Sequence, residues 1–207
     1  MQGRDYLEAV NVFLKKLPLW VYVIPWFCHI GATRYLMTRT NKFRREVPPH
    51  DQIASVLPDL SRFQWLVNVL VLVLCLPMLW MLVTHWPHGF FTSLFKYASL
   101  LTFIRCLTTT ATVLPPNYQC ADPDLTAVSP YLVGHCVDKM FSNHTALSLT
   151  VVLLYWRYGV LKGAWLCAAF ALQVLSSFTH IPTRSHYTID VLVAYLVALA
   201  IFFMFDL

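Results

Sequence analysis

The sequence predicts an all-α, polytopic integral membrane protein with six transmembrane helices and no soluble domain. Two observations predict it. Of 207 residues, 58% are hydrophobic and only 12% are charged, about half the charged share of an ordinary soluble domain. The apolar residues are also gathered into six long runs, at about 17–36, 64–84, 95–114, 142–158, 163–181 and 187–205. A spanning helix needs roughly 17–25 such residues.

Run one contains Pro18 and Pro25 and follows a polar stretch holding Asp5, Glu8, Lys15 and Lys16. That stretch does not read as a cleavable leader, so run one is expected to act as an uncleaved signal anchor. Residues 37–63 form a connection that is basic, then Pro-rich (Pro48, Pro49, Pro58). Runs two, three and six meet the spanning length comfortably. Residues 115–141 open with Pro115-Pro116-Asn117-Tyr118, which is turn chemistry. Run four begins in polar sequence and is short. Only Arg157-Tyr158-Gly159-Val160-Leu161-Lys162 separates it from run five, so the two form a tight helical hairpin with a basic tip.

Six spans put both termini on one side and the connections 37–63, 115–141 and 182–186 on the other. With the termini inside, the inner face carries Arg4, Lys15, Lys16, Lys96, Arg157 and Lys162. The outer face then carries Arg34, Arg39, Lys42, Arg44, Arg45, Arg62, Lys139 and Arg184. This count leans mildly toward the opposite orientation. A face that handles anionic lipids collects the same residue types, so orientation stays open on charge alone.

The net charge of +5 is modest and spread over connections, which suits lipid headgroups or substrate phosphates. No basic stripe, zinc-finger spacing or RNA-binding aromatic motif is present, so no nucleic-acid partner is expected. No Cys-x-x-Cys or His/Cys ligand pattern and no Walker or dinucleotide glycine motif occurs, so neither a metal nor a cofactor is expected. Cys28, Cys75, Cys106 and Cys167 lie inside apolar runs as small fillers. Cys120 and Cys136 share one connection, and a disulfide between them is open if that connection is luminal.

The chemistry concentrates at two motifs bordering apolar runs, Ser142-Asn143-His144-Thr145 and His186-Tyr187-Thr188-Ile189-Asp190. An imidazole and a carboxylate four residues apart share one helix face. Titratable groups are costly at a membrane border, so their presence there points to chemistry. Asp190 can fix the tautomer of His186 and free its other nitrogen to attack a phosphodiester phosphorus. His144 can protonate the departing alcohol and then deprotonate the incoming one. Ser142 or Asn143 is expected to cap helix four, whose first amides and dipole would face a phosphate oxygen. Of the remaining six histidines, His29, His50, His85, His88 and His135 have no constellation around them.

Arg105 lies near the middle of run three, where an Arg costs about 2.5–3.5 kcal/mol on insertion scales. A phosphate contact, or an ion pair with Asp138 or Asp190, would offset that; snorkelling is awkward from a central position. Asp138 reads either as a partner of His144, Lys139 or Arg105 or as an ordinary loop acid. Arg184 reads either as a phosphate contact or as a juxtamembrane anchor.

At these residues the chain resembles the sphingomyelin synthase family, within the wider lipid phosphatase (PAP2-like) superfamily. Leu57-Pro58-Asp59 resembles the end of the family's Pro-Pro-Leu-Pro-Asp. The stretch Arg105-Cys106, Thr109, Leu114-Pro115 and Cys120 resembles its Arg-Cys…Thr…Leu-Pro…Cys. The stretch from Cys136-Val137-Asp138 to Ser142-Asn143-His144-Thr145 resembles Cys-Gly-Asp-x-x-x-Ser-Gly-His-Thr. His186-Tyr187-Thr188-Ile189-Asp190-Val191 with Ala194-Tyr195 resembles His-Tyr-Thr-x-Asp-Val-x-x-Ala-Tyr. The resemblance covers about residues 55–205.

It implies six spans around a PAP2-like core, cytosolic termini, a luminal or exoplasmic active site, and residence in the Golgi or plasma membrane. The family's catalytic triad falls on His144, His186 and Asp190, with Arg105, Asp138, Ser142, Asn143 and Arg184 as phosphate or supporting residues. The implied reaction moves a phospho-headgroup, phosphocholine by first choice, from a glycerophospholipid to the primary hydroxyl of ceramide. Diacylglycerol is released, and no metal or nucleotide is needed because the bonds broken and made are nearly isoenergetic. Ethanolamine-phosphate or inositol-phosphate transfer is the near alternative. A lipid phosphate hydrolase and a non-enzymatic lipid-binding scaffold are the others. Helix-rich relatives suggest a homo-oligomer. The chain departs from the family at Val137 and Asn143, which replace glycines. It departs from soluble-headgroup phosphatases at His180, where they carry an Arg six residues before the second His.

Overall fold

The computed structural model describes residues 2–43, 50–83, 88–111 and 141–205, and within them the chain is helical with no strand. Helix α1 (Gln2–Lys16) is followed by a 3-10 turn at Leu19–Val23 and then α2 (Ile24–Phe43). Pro18 caps that turn with an extended backbone, which keeps the polar α1 separate from the apolar run. Pro25 falls in the first turn of α2, where its missing amide costs little. A short helix, α3 (Gln52–Val56), and a 3-10 turn at Ser61–Phe63 lead into α4 (Trp65–Val83). Helices α5 (His88–Ala111), α6 (Asn143–Arg157), α7 (Gly163–Thr179) and α8 (Thr188–Met204) complete the bundle. The connection expected at 37–63 is therefore partly helical, because α2 runs to Phe43 and α3 lies inside it.

Among the described residues, two helices are long and apolar enough to cross a membrane, Ser61–Leu82 and Gly89–Ala111, against the six spans expected. Helices α7 and α8 are apolar but have 17 residues each, about 25 Å of rise against a hydrocarbon core of about 30 Å. The difference arises where apolar sequence runs on past the helix end. His180 and Ile181 belong to a turn, and Tyr187 and Phe205 cap α8.

Helix α6 is the centre of the molecule. It packs against α4, α5, α7 and α8, and its residues Leu149 and Val151 to Tyr155 are buried. Helix α4 is the opposite case. Leu72, Leu76, Leu79, Trp80 and Leu82 are exposed, as are Leu192, Leu196 and Phe203 of α8. Exposed apolar faces of this size mark a non-aqueous or protein neighbour.

Two local devices hold the bundle in shape. Pro77 inside α4 removes an amide and loosens the ladder around it. The Tyr155 hydroxyl enters there, donating to Leu74 O (2.9 Å) and accepting from the Met78 amide (3.2 Å). At the α6–α7 hairpin, Gly159 takes φ +63. Its amide bonds Trp156 O (3.1 Å) and the Val160 amide bonds Tyr155 O (2.9 Å). These are the two bonds of a Schellman cap, which needs a residue in the left-handed region.

Helices α6 and α8 run parallel. At one end the Ser142 amide donates to Asp190 O (3.2 Å). At the other, Arg157 donates to the Tyr97 hydroxyl (2.7 Å) and stands 4.3 Å from the centre of the Phe202 ring. Helix α7 runs the other way and returns the chain to the first end, where both sequence motifs lie.

Candidate active site

Helix α6 starts at Ser142, as the capping rules anticipate. Its hydroxyl accepts from the Thr145 amide (3.3 Å) and its carbonyl from the Ala146 amide (3.0 Å). The Asn143 and His144 amides, in the first turn, have no intrahelical acceptor. The Asn143 side-chain oxygen is buried with no hydrogen-bond partner. Helix α8 starts just after Tyr187, whose amide donates to Asp190 Oδ2 (3.0 Å). Asp190 is fully buried, and His186 is nearly so. The Nδ1 atom of His186 lies 3.6 Å from Asp190 Oδ2. That is a few tenths of an ångström beyond a hydrogen bond, and such bonds commonly tighten only when substrate is bound. Because the carboxylate faces Nδ1, Nε2 is the nitrogen left to react.

Residues 180–186 fold into a turn that brings three imidazoles together. The Ser185 and His186 amides both donate to His180 O (3.1 and 3.3 Å). The His180 ring sits 5.7 Å from that of His144 and 5.2 Å from that of His186, centre to centre. The two histidines singled out in the sequence thus flank a third that entered the reading only as a departure from phosphatases. The one trace of this in the sequence is Pro182, which favours a turn between His180 and His186 without fixing how tight it is.

Arg105 lies on α5 two turns closer to this end than Tyr97, which meets Arg157 at the other, and it is 3% exposed. Arg184 does not face the imidazoles. Its guanidinium donates to Ala54 O (2.6 Å) and Leu57 O (3.4 Å), capping α3, and its backbone sits at φ +58. In this structure Arg184 thus ties the turn to the carbonyls of residues 54 and 57. Asp138 and the pair Cys120 and Cys136 lie outside the described residues.

Residues 51–64 dock on the same turn. The Thr188 amide and hydroxyl donate to Asp51 (2.7 and 2.9 Å), which also caps α3 by accepting from the Ala54 amide (3.0 Å). Burial alone would push the Asp51 carboxyl up, but the hydrogen bonds from Thr188 and Ala54 prevail and hold it below the usual aspartate value. The Leu60 amide bonds Pro182 O (2.8 Å), and Gln64 bonds Thr183 O (3.2 Å). Beneath the site, buried Gln173 of α7 donates to the Ser177 hydroxyl (2.9 Å) and Thr145 O (3.5 Å) and accepts from the Tyr195 hydroxyl (2.7 Å). It ties α6, α7 and α8 together. Neither Asp51 nor Gln173 is singled out by the sequence patterns.

Residues 135–207 match the family described as PAP2 superfamily C-terminal. The chain is 34% identical over 131 residues to phosphatidylinositol:ceramide inositolphosphotransferase 3 of Arabidopsis thaliana, covering 53% of this chain and 44% of that protein. It is 33% identical over 120 residues to phosphatidylinositol:ceramide inositolphosphotransferase of Oryza sativa subsp. indica, covering 49% and 36%. It is 39% identical over 69 residues to the protein so named in Trypanosoma cruzi (strain CL Brener), covering 33% and 21%. The chain thus spans less than half the length of these relatives. Its C-terminal region, which holds all three imidazoles, carries the PAP2 superfamily C-terminal pattern, and the chain is related to proteins named as ceramide phosphotransferases.

Proposed function

We infer that this protein is a membrane-embedded ceramide phosphotransferase, and that phosphatidylinositol is its donor. The reading is carried by one observation: His144, at the start of α6, and His186, in the turn before α8, are bridged by ring contacts through His180 while Asp190 backs His186. Nε2 of His186 attacks the donor phosphorus. The phosphorus–oxygen bond to diacylglycerol breaks, and His144 supplies the proton that leaves with the alcohol. The primary hydroxyl of ceramide then attacks the phosphohistidine, giving its proton to His144, and the phosphorus–nitrogen bond breaks. Asp190 holds the His186 tautomer and stabilises its charge. Arg105 and the first amides of α6 face the phosphoryl oxygens.

The names of the relatives favour inositol-phosphate over phosphocholine, the headgroup first expected from the sequence. The exposed apolar faces of α4 and α8 support seating in a bilayer. Six crossings, with α7 and α8 tilted little or the bilayer thinned around them, accommodate their length.

Membranes from cells making the full chain, given fluorescent ceramide and phosphatidylinositol, phosphatidylcholine or phosphatidylethanolamine in turn, test this. The expected product is inositol-phosphate ceramide with diacylglycerol, lost in His186→Ala. Product from phosphatidylcholine alone would overturn the donor assignment. Diacylglycerol and free headgroup phosphate with no modified ceramide would make the protein a hydrolase.

A further inference from the structure

The geometry points to His180 as a substrate-contacting residue, a third imidazole that donates a hydrogen bond to a non-bridging phosphoryl oxygen between His144 and His186. This rests on the phosphotransfer reading above for the place of the phosphorus. Any group flanked by the rings of His144 and His186 lies against His180, because each of those rings is a direct neighbour of its ring.

One ring nitrogen is engaged inside the turn. Ser185 Oγ stands 2.8 Å from His180 Nδ1, and the same hydroxyl is held 3.2 Å from both Thr183 Oγ1 and His180 O. This pins the ring at Nδ1. With the Ser185 hydroxyl donating to Nδ1, the neutral ring carries its proton on Nε2, the tautomer that can donate to a phosphoryl oxygen.

The position also fills a need. Arg184, the cation nearest His186 in sequence, is directed at the carbonyls of Ala54 and Leu57. His180 is 2% exposed, so a polar contact there is made in a dry setting where it is strong.

Asparagine and glutamine separate the two ring nitrogens. In His180→Asn the amide reaches the Nδ1 position and keeps the bond to Ser185; in His180→Gln it reaches toward Nε2. The transferase assay should show kcat down about 10- to 100-fold in His180→Asn, with the KM for ceramide unchanged and part of the loss recovered in His180→Gln. A second readout uses orthovanadate as a phosphoryl mimic. It should raise the melting midpoint of the detergent-purified full chain, and the shift should vanish in His180→Asn. Wild-type kcat in His180→Asn, a Gln variant no better than Asn, or a vanadate shift that persists in His180→Asn would each overturn the assignment. A vanadate shift that depends on His180, in a protein making no headgroup-ceramide from any donor, would leave this contact standing and remove the function above.

Discussion

At Asp190 two tasks meet in one carboxylate. Oδ2 accepts the Tyr187 amide and so starts α8, and the same oxygen faces His186 Nδ1. Asparagine can keep the first task, since its carbonyl oxygen accepts an amide, but it carries no charge to stabilise an imidazolium. Asp190→Asn should therefore be produced and folded like the wild type while transferring headgroup about 100-fold more slowly or worse. A rate within a few-fold of wild type would remove Asp190 from the chemistry. His144, His186 and Asp190 were readable because their signals are local: one cap, and one pair at helical spacing. His180 was not, because its part depends on how tightly residues 180–186 turn back on themselves. Likewise Arg184 was legible as a cation near the site, but not as one whose guanidinium faces α3.

Among the elements, α3 and the start of α8 are joined through Asp51, 137 residues before its partner Thr188. No local pattern predicts such a bond, and by composition this stretch is only a connection. One side chain here serves two helix N-termini, and caps of this kind are worth about 1–2 kcal/mol. Because the hydrogen bonds depress the Asp51 carboxyl in the folded protein, its contribution is full above the unfolded aspartate value. It fades as pH falls through the lower folded one. The purified full chain should thus lose melting midpoint on acidification from about pH 5 toward pH 3. Asp51→Ala should melt lower at neutral pH and respond less to that acidification. An unchanged acid response in Asp51→Ala would show that other carboxyls govern it. Helix positions were far more legible than these junctions, since apolar runs locate helices while side-chain bonds between distant segments leave no periodic trace.

For the whole molecule, the hydropathy runs located α4 to α8, but they said nothing of how an apolar bundle tolerates polar groups at its centre. Gln173 answers part of that. Fully buried, it uses its carbonyl for Tyr195 of α8 and its amide for Ser177 of α7 and the Thr145 carbonyl of α6. It thereby fixes the helices that carry the three imidazoles. Replacing it by leucine leaves the Tyr195 hydroxyl without its acceptor, at a cost of about 1–3 kcal/mol, whereas removing both partners together is far less damaging. Gln173→Leu should therefore lower the melting midpoint of the purified protein and reduce transfer. Adding Tyr195→Phe should recover part of the stability, because the orphaned hydroxyl goes with it. If the double variant is less stable than Gln173→Leu alone, the bond is not what holds these helices together. Their register then comes instead from the apolar packing of α6 against its neighbours.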